Sequence, residues 1–157
     1  MLQNLTSGNP SIHERLIVVV DDEPSILYLV VRLLSAAGYK AVAFSTPRAV
    51  LDSLDEMPVS LVVSDVSMPE MSGFALTHLV HQRQPGLPVV LMTGGHFDPE
   101  IDPIATDFGA FALLHKPFDA NLLWSTVEHA LAQGQQTVQE HARQTPLTAA
   151  RLRGSLP

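Results

Sequence analysis

The chain has 157 residues, no cysteine, 46% apolar side chains and a formal charge of −7 from 9 basic and 16 acidic groups. One domain of ordinary size fits that length, and it can bury a core without disulfides. Thiol chemistry, zinc-finger and iron–sulfur sites are excluded, and the acidity argues against a direct nucleic-acid binder, which must neutralise phosphates.

The longest apolar runs fall far short of a membrane span, and the start, MLQNLTSGNPSIHE, lacks the basic and apolar stretches of a signal peptide. The expectation is a cytoplasmic protein with no membrane association. Charge divides the chain into three: an uncharged segment 1–13, a body 14–133 and a polar tail 134–157. The body holds 6 basic and 15 acidic side chains, net −9, and the tail three arginines against Glu140, net +2.

From Leu16 onward short apolar runs alternate with amphipathic stretches. Leu16 to Val20 is a continuous β-branched run, as expected for a strand buried on both faces. Pro24 suits the first turn of a helix whose apolar positions, Ile26, Leu27, Val30, Val31 and Leu34, keep helical spacing until Gly38. Tyr39 to Phe44 reads as a second strand, and Thr46-Pro47 as the N-cap and first residue of a helix to about Leu54. Ser60 to Ser64 is a third strand ending at Asp65, followed by a helix over about 73–84. Pro88 to Met92 is a fourth strand, ending at Thr93 and Gly94-Gly95. A weaker helical stretch follows between Asp98 and Phe108. Both Asp98-Pro99 and Asp102-Pro103 resemble helix starts, and an interior proline costs ~3 kcal/mol. The expectation is therefore a short helix beginning at Pro103 with Asp102 as N-cap, after a long mobile loop from Gly94 to Ile101. Phe111 to His115 is a fifth strand ending at Lys116-Pro117, and a last helix runs from about Asp119. The tail either prolongs that helix to about Arg143, before Pro146, or is disordered.

Strands joined through helices run parallel, so the predicted fold is α/β: a five-stranded parallel sheet with helices on both faces, (βα)5 and flavodoxin-like. Ligands of such sheets bind beyond the carboxyl ends of the strands. Those ends carry Asp21 and Asp22, Asp65, Thr93 and Lys116. Clustered carboxylates without thiolate or imidazole favour Mg2+, and a lysine and a hydroxyl beside them would stabilise a transferring phosphoryl group. Asp65, the central acid, is the natural nucleophile for an acyl phosphate. Taken singly each residue has a plainer reading. Asp21 or Asp22 serves equally well as a helix cap, Thr93 as a loop hydroxyl and Lys116 as a surface charge. Their joint placement is what points to a site.

The stretches VVVDDEP (18–24), LVVSDVSMPEMSGF (61–74), VVLMTGG (89–95) and HKPF (115–118) resemble the receiver domain of two-component response regulators, in order and spacing, over about 120 residues. The resemblance implies that Asp65 is the phosphoacceptor, supplied by a histidine kinase or a histidine phosphotransfer protein. It implies that Mg2+ is held by Asp22, Asp65 and the Ser67 backbone carbonyl, and by Asp21 through water. Lys116 and Thr93 would contact the phosphoryl oxygens, and the Lys116–Pro117 bond would be cis. No external substrate would be turned over, so the protein is not an enzyme in that sense; its output would be phosphorylation-dependent binding of a downstream protein that the sequence does not identify.

Three features depart from that pattern. The aromatic residue the family places three positions before the lysine is Leu113 here; Phe111, two residues earlier, would share its strand face by period two. The irregular fourth helix leads to the expectation that the chain is a monomer or weak dimer that does not associate through helix four, strand five and helix five. Ser67 and Gly95, where the family controls phosphate lifetime, are both small and give no evident shielding. Two alternatives remain. One is a Mg2+-dependent aspartyl-phosphate phosphohydrolase, against which Ser67 counts because a second acid is expected there. The other is a phosphorylation-independent pseudo-receiver adaptor, against which the complete acid, threonine and lysine set counts. His78 and His81, three apart, read as a solvated helix face rather than metal ligands, His115 has no assigned role, and Trp124 reads as packing. The tail is too short for a familiar output domain, which leaves either a stand-alone receiver or one severed from a hybrid kinase.

Overall fold

A computed structural model describes residues 11, 14–95 and 100–144, with side chains described as far as 134. Five strands, β1 (Leu16–Val20), β2 (Lys40–Phe44), β3 (Val59–Asp65), β4 (Val89–Thr93) and β5 (Ala112–His115), alternate with five helices. These are α1 (Pro24–Ala36), α2 (Pro47–Glu56), α3 (Gly73–Arg83), α4 (Ile101–Asp107) and α5 (Ala120–Gln144). The strands pair in parallel in the order β2-β1-β3-β4-β5. The chain leaves β1 first toward one edge and then returns to build the other, so the crevice between β1 and β3 opens at the carboxyl edge.

The β-branched runs bury both strand faces. Ile17 and Val19 join Val30 and Leu34 of α1 and Leu123, Val127 and Leu131 of α5 in one core. Val18 and Val20 face the other way, onto Val50 and Leu54 of α2, Leu76 and Val80 of α3 and Ala105 of α4. Burying each such side chain contributes about 1.5–3 kcal/mol, so these two layers hold the sheet edge in place.

The capping chemistry largely follows the local sequence. Thr46 Oγ1 accepts from the Ala49 N–H at 3.4 Å and Ser72 Oγ from the Ala75 N–H at 3.2 Å. Asp119 Oδ1 accepts from the Leu122 N–H at 2.8 Å and caps α5. At α4 the expectation fails. The helix begins at Ile101, its N-cap is Glu100, and Pro103 sits inside the first turn. A proline there loses nothing, because the first turn's N–H groups have no intrahelical partner. Asp102 does not cap; its carboxylate accepts a hydrogen bond from His115 Nε2 at 2.8 Å. Of the long mobile loop expected from Gly94 to Ile101, Ile101 instead opens α4, and residues 96–99 lie outside the described residues.

The face expected for Phe111 is also corrected. Phe111 precedes β5 and packs with Leu114 on the α1/α5 side, whereas Leu113 packs on the opposite side. Period-two alternation holds only within the strand, and Phe111 lies outside it. Trp124 is more than packing: its Nε1–H donates to the Leu33 carbonyl at 2.7 Å, tying α5 to α1. His81 is held by the Leu87 carbonyl at 3.0 Å, and His78 by Gln82 at 3.0 Å. The helix after β5 continues to Gln144, and residues 145–157 lie outside the described residues.

Of the described glycines compared, Gly73 is the most tightly packed. A Cβ there would lie 2.3 Å from the Asp65 carbonyl oxygen and 3.0 Å from Val66 Cα, both backbone atoms that cannot swing aside. Gly73→Ala should therefore lower the unfolding free energy by about 2–3 kcal/mol in urea denaturation. A loss below about 0.5 kcal/mol would show that α3 can withdraw from β3 at little cost.

Candidate functional site

Asp21 follows β1, Asp65 ends β3 and Lys116 follows β5, so three separate strands deliver their side chains to one point. Lys116 Nζ donates to Asp21 Oδ2 at 2.9 Å and to Asp65 Oδ1 at 3.0 Å. The acids are 1% and 5% exposed, which removes most of the water that would otherwise hydrate them. Asp22 is exposed, and one carboxylate oxygen from each of Asp21, Asp22 and Asp65 lies within 4.8 Å of the others. Neither Asp21 nor Asp22 is the N-cap of α1; that position belongs to Glu23, whose side chain makes no cap hydrogen bond. Asp21 Oδ1 instead accepts from the Glu23 N–H at 2.9 Å, which turns its other oxygen toward Lys116.

Thr93 ends β4 in register with His115, and its carbonyl accepts the Lys116 N–H at 2.7 Å. It therefore shares the edge with the acids, although its hydroxyl makes no hydrogen bond with them among the described residues. The Ser67 N–H donates to Asp65 Oδ2 at 3.2 Å, fixing the second carboxylate oxygen. The peptide bond between Lys116 and Pro117 is cis.

Burial pushes the Asp65 carboxyl above its ordinary range; the Lys116 hydrogen bond and charge pull it down, and Asp21 and Asp22 push it up again. For Lys116, burial acts to lower the ammonium's pKa, but hydrogen bonds and charge from Asp21 and Asp65 outweigh it and hold the value above normal. Three carboxylates against one ammonium leave an excess of negative charge in a partly buried, all-oxygen pocket. Hard oxygen donors with uncompensated charge and one exposed member suit Mg2+, which retains waters.

Two features were not legible in the sequence. The His115–Asp102 pair joins residues whose contact depends on where α4 docks, and no local pattern announces it. The open space beside Gly95, where an added Cβ would meet nothing within 4 Å, depends on what surrounds the loop.

The chain is similar to known proteins in sequence and in fold. A family model for the response regulator receiver domain matches residues 17–128. The chain is 36% identical over 131 residues to the DNA-binding transcriptional regulator NtrC of Klebsiella pneumoniae, covering 83% of this chain and 27% of that protein. It is 32% identical over 126 residues to the transcriptional regulatory protein FixJ of Bradyrhizobium diazoefficiens, covering 80% of this chain and 61% of FixJ. Among solved structures, a response regulator receiver domain from Clostridium thermocellum aligns with a TM-score of 0.73 at 28% identity, covering 78% of this chain and 98% of that one. The beryllofluoride-activated NtrC4 receiver domain dimer aligns with a TM-score of 0.71 at 28% identity, covering 76% and 98%. The chain spans about a quarter of the length of the NtrC relatives it matches.

The raised Asp65 value has a consequence for stability. An acid whose folded pKa lies above its unfolded one binds protons more readily when folded, so the metal-free fold loses stability as pH rises through that value. In chelator, Asp65→Asn should raise the urea midpoint at about pH 7.5, with the gain shrinking toward about pH 3, where the carboxyl is largely protonated in both states. A variant less stable than the parent at the higher pH would show that Lys116 more than offsets the burial penalty.

Proposed function

The chain belongs to the response regulator receiver domain family, and from that membership we propose that it receives a phosphoryl group from a phosphohistidine onto Asp65. The observation that carries the reading is Lys116 Nζ, held at 2.9 and 3.0 Å between Asp21 and Asp65 beside the exposed Asp22. An Asp65 carboxylate oxygen forms the new bond to phosphorus, and Lys116 offsets charge on the phosphoryl oxygens. Thr93 supplies a hydroxyl to one of those oxygens. Asp22, Asp65 and the Ser67 carbonyl are the proposed direct ligands of Mg2+, with Asp21 acting through water. The ion, when bound, neutralises charge on the transferring group.

The donor in this reading is a histidine kinase or histidine phosphotransfer protein, and the output is phosphorylation-dependent binding to a downstream protein. The relatives named as DNA-binding regulators are much longer than this chain, so any nucleic-acid contact belongs to their remaining length in this proposal. The receiver body is assigned to residues 14–133, with 1–13 and 134–157 as flanking segments. A monomer or weak dimer working in the cytoplasm fits the acidic, cysteine-free composition; no helix among the described residues is long and apolar enough to cross a membrane.

Incubation with Mg2+ and acetyl phosphate, followed by intact mass, should give one added phosphoryl group per chain, lost in Asp65→Asn. Lys116→Met should slow the modification by roughly 10²-fold, the usual scale for losing one charge-stabilising group. Many turnovers of an organic phosphate would instead indicate a phosphohydrolase, and neither modification nor Mg2+ binding would indicate a pseudo-receiver adaptor.

A further inference from the structure

α4 is lightly anchored. It has seven residues, and Ala105 is the one that is buried. Its first turn is held by a side chain from the sheet: His115 Nε2 donates to Asp102 Oδ1 at 2.8 Å, the two side chains being 34% and 53% exposed. So exposed a pair adds little to the stability of the fold, yet it fixes where α4 lies. His115 is also tied to the acid cluster, through the backbone. It closes β5, an edge strand of four residues bonded to β4 alone, in register with Thr93. The next residue is Lys116, whose N–H donates to the Thr93 carbonyl at 2.7 Å and whose Nζ holds Asp21 and Asp65. Two successive residues thus reach two separate places, Lys116 the acids and His115 the start of α4.

We infer that the His115–Asp102 pair is a latch that holds α4 against β5 and opposes modification of Asp65. The inference rests on the reading of Asp65 as phosphoacceptor. A phosphoryl group on Asp65 brings its oxygens into the space beside Lys116 Nζ, which lies 3.0 Å from Asp65 Oδ1, so Lys116 has to shift to meet them. Its stem has limited slack, because it runs beside Gly94, where an added Cβ would lie 3.4 Å from Lys116 Cδ. Part of the shift therefore falls on the backbone at 115–116. His115 cannot follow without lengthening its 2.8 Å bond to Asp102. Removing the latch removes that resistance. By linkage, whatever fills the site beside Asp65 also loosens the hold on α4.

The experiment titrates the chain with beryllofluoride in Mg2+, following bound fluoride by fluorine NMR. Hydrogen exchange is read in parallel at the Phe108 and Ala110 amides, which donate to the Ile104 and Ala105 carbonyls of α4. Asp102→Ala and His115→Ala each remove the pair and should bind beryllofluoride about threefold more tightly, the scale of one half-exposed ion pair. The double variant should gain no more than either single one, because both remove the same contact. His115→Gln, whose side-chain amide still reaches Asp102, should stay near the parent. Beryllofluoride should speed exchange of the two amides in the parent, and in the alanine variants exchange should be fast already without it. Unchanged or weaker binding in both alanine variants, or gains that add in the double variant, would overturn the latch and leave Asp65 as phosphoacceptor. Faster amide exchange without tighter binding would do the same, since the pair would then serve α4 alone. A parent chain that neither binds beryllofluoride nor takes a phosphoryl group from acetyl phosphate would overturn the phosphoacceptor reading and the latch with it.

Discussion

Two nearly buried carboxylates share one ammonium, and the carboxyl edge of the sheet is arranged around that fact. Asp21 and Asp65 are taken out of water by the strands that carry them, and burial drives the Asp65 carboxyl toward its neutral form. Lys116 reaches both and keeps the negative charge in place, at distances typical of charge-assisted hydrogen bonds. The compensation is incomplete, since Asp22 adds a third carboxylate. That residual negative charge suits the pocket to a divalent cation.

The scaffold can sustain this arrangement because the strands are hydrophobic on both faces. Val18 and Val20 are locked beneath α2 and α3, while Ile17 and Val19 are locked beneath α1 and α5. A slip of one residue would exchange those two sets and swing Asp21 to the wrong side. At β3 the position is fixed a second time, by α3 lying so close to the Asp65 carbonyl that only glycine fits. Charge is held at the edge by packing that is itself neutral.

Much of this was legible in the sequence, for identifiable reasons. Continuous β-branched runs, proline at helix starts and acids at strand ends are local signals, and β1, α1, α2 and the acid cluster follow from them. What escaped depended on relations between distant elements. The start of α4 is not legible because Pro103 reads as an interior residue until the helix start is known, whereas a first-turn proline disturbs nothing. Asp102 looked like a cap because its partner, His115, is contributed by a strand that no local pattern places nearby. Phe111 was assigned to a face by alternation in a strand that begins one residue later. An apolar cavity beside Lys116 is likewise a property of assembly, made by α1 and the β5–α5 connection together.

The separations in sequence between the partners of Lys116 carry a consequence for assembly of the chain. Its bonds span 95 residues to Asp21 and 51 to Asp65, among the longest-range contacts described. β1 and β3 are adjacent and rich in mutual contact, whereas β5 is one of the two edge strands and the last strand to be synthesised. A partly formed sheet of the first four strands would therefore hold two desolvating acids with no cation between them. Docking of β5 removes that penalty and completes the acid–lysine cluster in the same event. An incompletely folded chain thus lacks the ammonium that bridges Asp21 and Asp65, so the charge arrangement at the sheet edge is complete only when the final strand is in place.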